Sequence, residues 1–192
     1  MIDMISAIVL IIFLLLVFLV ATVVVRAIIS KQQIIGRPPI PVLFFILAKL
    51  LVVVNLSFLL LRGLNISVYR IFASAGYIDG IALVFLILGT AILFLSTFKL
   101  KSDLVFGLSS SGKHILQTNG IYSLSRHPFY LGFIFILFSS CLLTPHYLNI
   151  LAFLGAWIIH HFIMIKEEEF LSGQYGDEYI QYKKKVKRHI TF

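Results

Sequence analysis

A single cysteine, Cys141, means that no intrachain disulfide can form, and the fold needs no oxidising compartment. Cys141 lies inside an apolar run with no base nearby, so it reads as packing rather than as a nucleophile. Charge is also scarce: 12% of residues are Asp, Glu, Lys or Arg, against 60% hydrophobic, and the mean hydropathy is +1.03. That balance excludes a soluble globular chain. Acid is the scarcer sign, with eight Asp and Glu against sixteen Lys and Arg and a formal charge of +8. The basic residues flank apolar runs instead of alternating with aromatics, so the excess points to a membrane surface and not to nucleic acid. No His-x-x-x-His pair with a clear third ligand suggests zinc.

Long apolar runs are what the chain has in abundance. They approach the ~20 residues a helix needs to cross ~30 Å of hydrocarbon. Spans are expected at about 5–25, 42–61, 78–98, 129–143 and 147–165, giving an all-α, polytopic chain with five transmembrane helices. Residues 1–192 are read as a single integral membrane domain. The first run follows Asp3 and lacks a small-residue cleavage site, so it reads as a retained span and not as a signal peptide. The second contains Asn55 and Lys49, and an ionisable residue within a span is costly. Lys49 is close enough to Pro41 to snorkel towards the loop. The fourth run is short and turns at Thr144-Pro145-His146 into the fifth, a C-terminal helical hairpin followed by a charged tail.

The basic residues orient these spans. Thirteen fall in the first loop, the loop from Lys99 and the tail from Lys166; only Arg62 and Arg70 fall on the opposite side. The expected topology has the N-terminus outside and the C-terminus in the cytoplasm, in a plasma membrane or an endoplasmic reticulum. Both polar ends of the hairpin then face the cytoplasm together. One end holds His114, Tyr122, Arg126, His127 and Tyr130; the other holds His160, His161, Glu167 and Glu168. Residues seven apart share a helical face, which aligns His160 with Glu167 and His161 with Glu168. Pro128 suits a first helical turn, so Arg126, His127 and Tyr130 surround a helix N-terminus, where free N–H groups favour a carboxylate or phosphate. An acid from the fifth span adds a partner for a cation. A ligand carrying both carboxylate and positive charge, such as an amino-acid-derived cofactor, suits this set.

Arg126-His127-Pro128-x-Tyr130-x-Gly132 is followed at hairpin distance by Glu167-Glu168-x-x-Leu171, Tyr175-Gly176, Tyr179-x-x-Tyr182 and a basic end. Over Gly112 to Arg188 this order resembles the isoprenylcysteine carboxyl methyltransferase family of integral membrane enzymes. The resemblance implies methyl transfer from S-adenosyl-L-methionine, leaving S-adenosylhomocysteine, to a lipid-linked acceptor that enters from the bilayer. By the same resemblance the cofactor lies against His114, Ile115, Leu116, Gln117, Tyr122, His127, Pro128, Phe129, Tyr130 and Glu167. Glu167, Glu168, His161 and Arg126 are the catalytic candidates, with His161 as base if the acceptor is a thiol or amine. An isoprenylcysteine carboxylate, already ionised, needs no base. Carboxylate-methylating members carry an arginine where this chain has Ile163, which leaves His160, His161, Lys166 or Arg126 to supply the charge. Phospholipid N-methyltransferases, small-thiol methyltransferases and NADPH-dependent sterol reductases share the hairpin motif and are the alternatives, followed by a non-enzymatic scaffold. A lipophilic or prenylated substrate, the bilayer and a monomeric state complete the expectation.

Overall fold

The computed structural model describes residues 3–30, 36–71, 76–100 and 116–190. Among them are six α-helices: α1 (Met4–Ser30), α2 (Val42–Gly63), α3 (Gly76–Leu100), α4 (Pro128–Leu143), α5 (Tyr147–Tyr175) and α6 (Asp177–Lys185). A 3₁₀ turn, Gly120–Ser123, precedes α4. The described residues are all-helical as expected, and α1, α2, α3 and α5 are long and apolar enough to cross a membrane. With 16 residues, α4 is ~24 Å long at 1.5 Å per residue, a short apolar member of the set.

Prolines mark where helices begin. Pro41 precedes α2 and Pro128 occupies the first turn of α4, positions where a missing N–H removes no helical hydrogen bond. Several helices outrun the apolar spans. α2 includes Arg62, which is buried at the bundle edge rather than placed in a loop; it pairs with Asp3 at 3.1 Å and donates to Ser6 Oγ. α5 continues ten residues past Ile165, because Lys166 to Leu171 lose hydropathy but keep helix propensity. It stops at Gly176, whose φ of 55° lies in the left-handed region that glycine enters without penalty.

α4 packs most extensively on α3, and α5 on α2; α1 covers α2 and α3. The two hairpin helices touch each other less than they touch these partners. α3 and α4 run antiparallel and cross at Gly89 and Gly132, where a Cβ on either glycine would stand 2.7 Å from the other's carbonyl oxygen. Ser139 Oγ donates to the Ala82 carbonyl at 2.7 Å along the same seam. Val9, Ile12, Leu59, Leu86, Leu93, Ile136 and Leu143 fill the apolar core.

At the turn end of the hairpin, Asn149 Nδ2 donates to the carbonyls of Ser140 and Thr144, both at 3.0 Å. Ser140 Oγ donates to the Asn55 carbonyl at 3.0 Å, and Asn55 Nδ2 to the Asn149 carbonyl at 3.3 Å. These contacts join α2, α4 and α5 and explain Asn55 as a structural residue. Cys141 is buried there, 3.5 Å from Asn55 Nδ2, in keeping with a packing role.

Candidate functional site

The opposite end of the hairpin is charged. Its framework is set by the backbone around Ser125, where the C-terminal tail returns to the start of α4. Arg126 N–H donates to the Lys187 carbonyl at 3.0 Å, and Ser125 Oγ donates to the Arg188 carbonyl at 2.9 Å. The same Ser125 oxygen accepts the His127 N–H at 3.1 Å. Tyr182 OH donates to the Tyr122 carbonyl at 2.6 Å, tying α6 to the 3₁₀ turn. Tyr179, Tyr182 and Val186 form a small apolar cluster with Leu116, Leu171 and Tyr175. Burial pushes the phenols of Tyr122, Tyr179 and Tyr182 well above their usual range, so they stay protonated, and Tyr182 is the one seen donating.

Glu168 is the centre of the clasp. It is 2% exposed, and Arg126 donates to its Oε1 from Nε at 3.2 Å and from Nη2 at 2.8 Å. Arg188 donates to Oε1 at 2.8 Å and to Oε2 at 3.0 Å, while Lys183 Nζ stands 3.5 Å from Oε2. The remaining arm of Arg126, Nη1, donates to the carbonyls of Val186 at 2.7 Å and Lys183 at 3.2 Å. Every nitrogen of that guanidinium is therefore engaged inside the protein. Arg126 and Glu168 hold the tail to α4 and α5.

Glu167, one residue away, faces differently. Its Oε1 accepts Tyr130 OH at 2.6 Å, and its Oε2 lies 3.8 Å from His127 Nδ1. Its side chain keeps 18% exposure, so one carboxylate oxygen has capacity for a further donor. His127 is the N-cap of α4 but makes no side-chain cap hydrogen bond, and its Nε2, 3.3 Å from Glu168 Oε1, has no aligned hydrogen-bond partner among the described residues. An acid, a buried imidazole and an uncapped helix N-terminus thus meet at one point. The acid suits an ammonium and the helix terminus suits a carboxylate.

The other sequence candidates spread around this point. Pro128 is buried in the first turn of α4, and the Phe129 ring sits edge-on to Tyr130 with centroids 5.9 Å apart. Leu116 and Gln117 are half-buried, Leu116 against the tail cluster; His114 and Ile115 lie outside the described residues. The expected seven-residue pairings do not become contacts. His160 Nδ1 is 2.7 Å from the Ala156 carbonyl, and its ring lies beside Tyr130 and Phe133. His161 stacks on His189 of the tail, with centroids 6.2 Å apart. Ile163 is buried at 1% exposure. Sequence reasoning passed over Arg188 and Ser125 as site-building residues; the serine next to Arg126-His127 was the only local signal for either.

Residues 77–178, more than half of the chain, match the phospholipid methyltransferase family. The protein-S-isoprenylcysteine O-methyltransferase of Schizosaccharomyces pombe is 38% identical over 74 residues, 38% of this chain and 31% of that protein. The enzyme of the same name from Saccharomyces cerevisiae is 38% identical over 80 residues, 41% of this chain and 34% of that protein. Methanethiol S-methyltransferase 1 of Bradyrhizobium diazoefficiens is 32% identical over 114 residues, 54% of this chain and 39% of that protein. The matched segments span well under half the length of these relatives. The family match covers α3, α4 and α5 with both the Arg126–Tyr130 segment and the Glu167–Glu168 pair, and the chain belongs to the phospholipid methyltransferase family.

Proposed function

We propose that this chain is an integral membrane methyltransferase that uses S-adenosyl-L-methionine and methylates a lipophilic acceptor, the C-terminal carboxylate of an isoprenylcysteine. The observation that carries the reading is Glu167. Of two adjacent acids on α5, Glu168 is consumed by the tail clasp, whereas Glu167 keeps a carboxylate oxygen open at the uncapped start of α4. The donor set fits a zwitterionic amino-acid head, with Glu167 for its ammonium and the α4 N-terminus beside His127 for its carboxylate.

When bound, S-adenosyl-L-methionine supplies an electrophilic methyl group on a sulfonium. The chain's own work is alignment and exclusion of water. Tyr130 fixes the Glu167 carboxylate, and His127 and Pro128 set the direction of the α4 terminus. Leu116, Gln117, Tyr122 and Phe129 are assigned to the cofactor on the loop side by the same reading, which also takes in His114 and Ile115, outside the described residues. An ionised acceptor needs no proton removed, so Glu168 and Arg126 act by holding the tail closed. His161, stacked on His189, would be called on as a base only by a thiol or amine acceptor. The asymmetry of basic residues supports a cytoplasmic site and an outside N-terminus, in a plasma membrane or endoplasmic reticulum, and the reading takes the chain as a monomer.

A methyl-transfer assay in detergent with labelled S-adenosyl-L-methionine tests this. A prenylcysteine, a phosphatidylethanolamine and a simple thiol are offered side by side. The prenylcysteine should take the label as a base-labile ester. Label in the phospholipid or thiol alone would reassign the acceptor, and NADPH consumption without methyl transfer would overturn the reading.

A further inference from the structure

α2 packs against α5 in antiparallel register, with Asn55 at the level of Asn149 and Leu51 against Gly155. That register carries the N-terminal part of α2 past His160 towards Glu167. Lys49 lies there, half-buried inside an apolar helix, its ammonium 4.9 Å above the Phe45 ring. Phe45 is one turn nearer the helix start, so the side chain reaches along α2 in the direction of the site. Both Glu167 and His160 lie within electrostatic reach of Lys49.

The other cations of the site are occupied. Arg126, Arg188 and Lys183 converge on Glu168, and Lys166 pairs with Glu169 at 2.8 Å on the surface. Lys49, by contrast, has no carboxylate within 4 Å among the described residues. Glu167 does not fill that role, since its oxygens face Tyr130 and His127. An unpaired ammonium inside an apolar helix is costly, and such a placement marks a ligand or ion pathway. It also lies on the hydrocarbon side of Glu167, the side from which a lipophilic molecule would present a charged head to the site.

We infer that Lys49 is the acceptor-specificity residue of this site: its ammonium binds the anionic head of a lipophilic acceptor on the bilayer side of Glu167. The inference rests on the acceptor reading above. The shared chemistry is a single negative charge on an apolar chain, from a prenyl carboxylate or from a phospholipid phosphodiester.

Binding of three probes to the full chain in neutral detergent tests it: a farnesyl thioether carboxylic acid, its uncharged amide, and lysophosphatidylethanolamine. S-adenosylhomocysteine is titrated in parallel. The unsubstituted chain should bind the acid at least tenfold more tightly than the amide. Lys49→Gln should abolish that preference, Lys49→Arg should keep most of it, and both variants should hold S-adenosylhomocysteine within twofold and melt normally. A tenfold loss of lysophosphatidylethanolamine alongside the lost acid preference would support an anion site that also takes a lipid phosphodiester, and unchanged lysophosphatidylethanolamine would support one confined to the carboxylate. An acid preference that survives Lys49→Gln, or is absent from the unsubstituted chain, would overturn the inference. So would a parallel loss of acid, amide and S-adenosylhomocysteine, which would make Lys49 a mere counter-charge for Glu167. If S-adenosylhomocysteine does not bind at all, the methyltransferase reading fails. A Lys49-dependent acid preference would then still support the anion site, and its absence would overturn it.

Discussion

The two ends of the α4–α5 hairpin bury comparable amounts of polar chemistry and use it in opposite ways. At the turn end, neutral groups of Asn55, Ser140 and Asn149 are directed at backbone carbonyls, and these hydrogen bonds involve no charged group. At the far end, Glu167, Glu168, Arg126, His127 and Arg188 meet within hydrogen-bond or ion-pair distance, and one acid oxygen is left with capacity. Neutral side chain–backbone bonds lock helix register at modest cost, whereas converging charges are costly to bury and are kept where a ligand or a closing segment repays them. The hairpin thus has a neutral structural end and a charged end, the one proposed as the site. Substitutions at the turn end should change stability alone, while at the charged end the two acids should divide, Glu168 acting on stability and Glu167 on ligand binding.

The largest expected effect is Glu168→Ala, which leaves two guanidinium groups facing each other beneath the tail. A loss of about 3–5 kcal/mol in thermal unfolding in detergent, with protease cleavage near Lys185, would show that the clasp is broken. Gly132→Val comes next, because the added atoms meet the Gly89 carbonyl and the Leu93 N–H at the α3–α4 crossing. It should cost about 1–3 kcal/mol in the same measurement. Asn149→Ala should lower stability by about 1–2 kcal/mol while leaving S-adenosylhomocysteine affinity unchanged in a calorimetric titration. An affinity change there would erase the separation of the two ends.

The smallest effect concerns pH. Burial, followed by the nearby His161, Arg188 and His127, holds His189 below its ordinary value of 6.5. The folded tail therefore favours the neutral imidazole. Its contribution is complete above pH 6.5 and declines as the pH falls through that value towards the lower folded one. The unfolding temperature of the unsubstituted chain should drop slightly more between pH 7 and pH 5 than that of His189→Gln.

Much of this arrangement was legible from residue order. Apolar run length located the bundle helices, and the tight turn at Pro145 brought the Arg126–Tyr130 segment to the level of Glu167. The limits were physical. Hydropathy ends where hydrocarbon ends, but helix propensity does not, so α5 outran its span to Tyr175. Residues seven apart share a face yet stand ~10 Å apart along the axis, which is why His160 and His161 found other partners. Arg188 could not be foreseen as a partner of Glu168, because its position depends on the chain folding back after α6. Lys49 reads in sequence as a snorkelling residue; its relation to Glu167 exists only because α2, and not α3, is the principal neighbour of α5.

Glu167→Gln tests the central claim most directly, since it removes the charge while keeping the side chain's size. Calorimetric titration of S-adenosylhomocysteine into the unsubstituted chain and this variant should show at least a tenfold loss of affinity, with unfolding temperatures nearly equal. Equal affinities would contradict the assignment of Glu167 as the ligand-binding acid and of the charged hairpin end as the cofactor site.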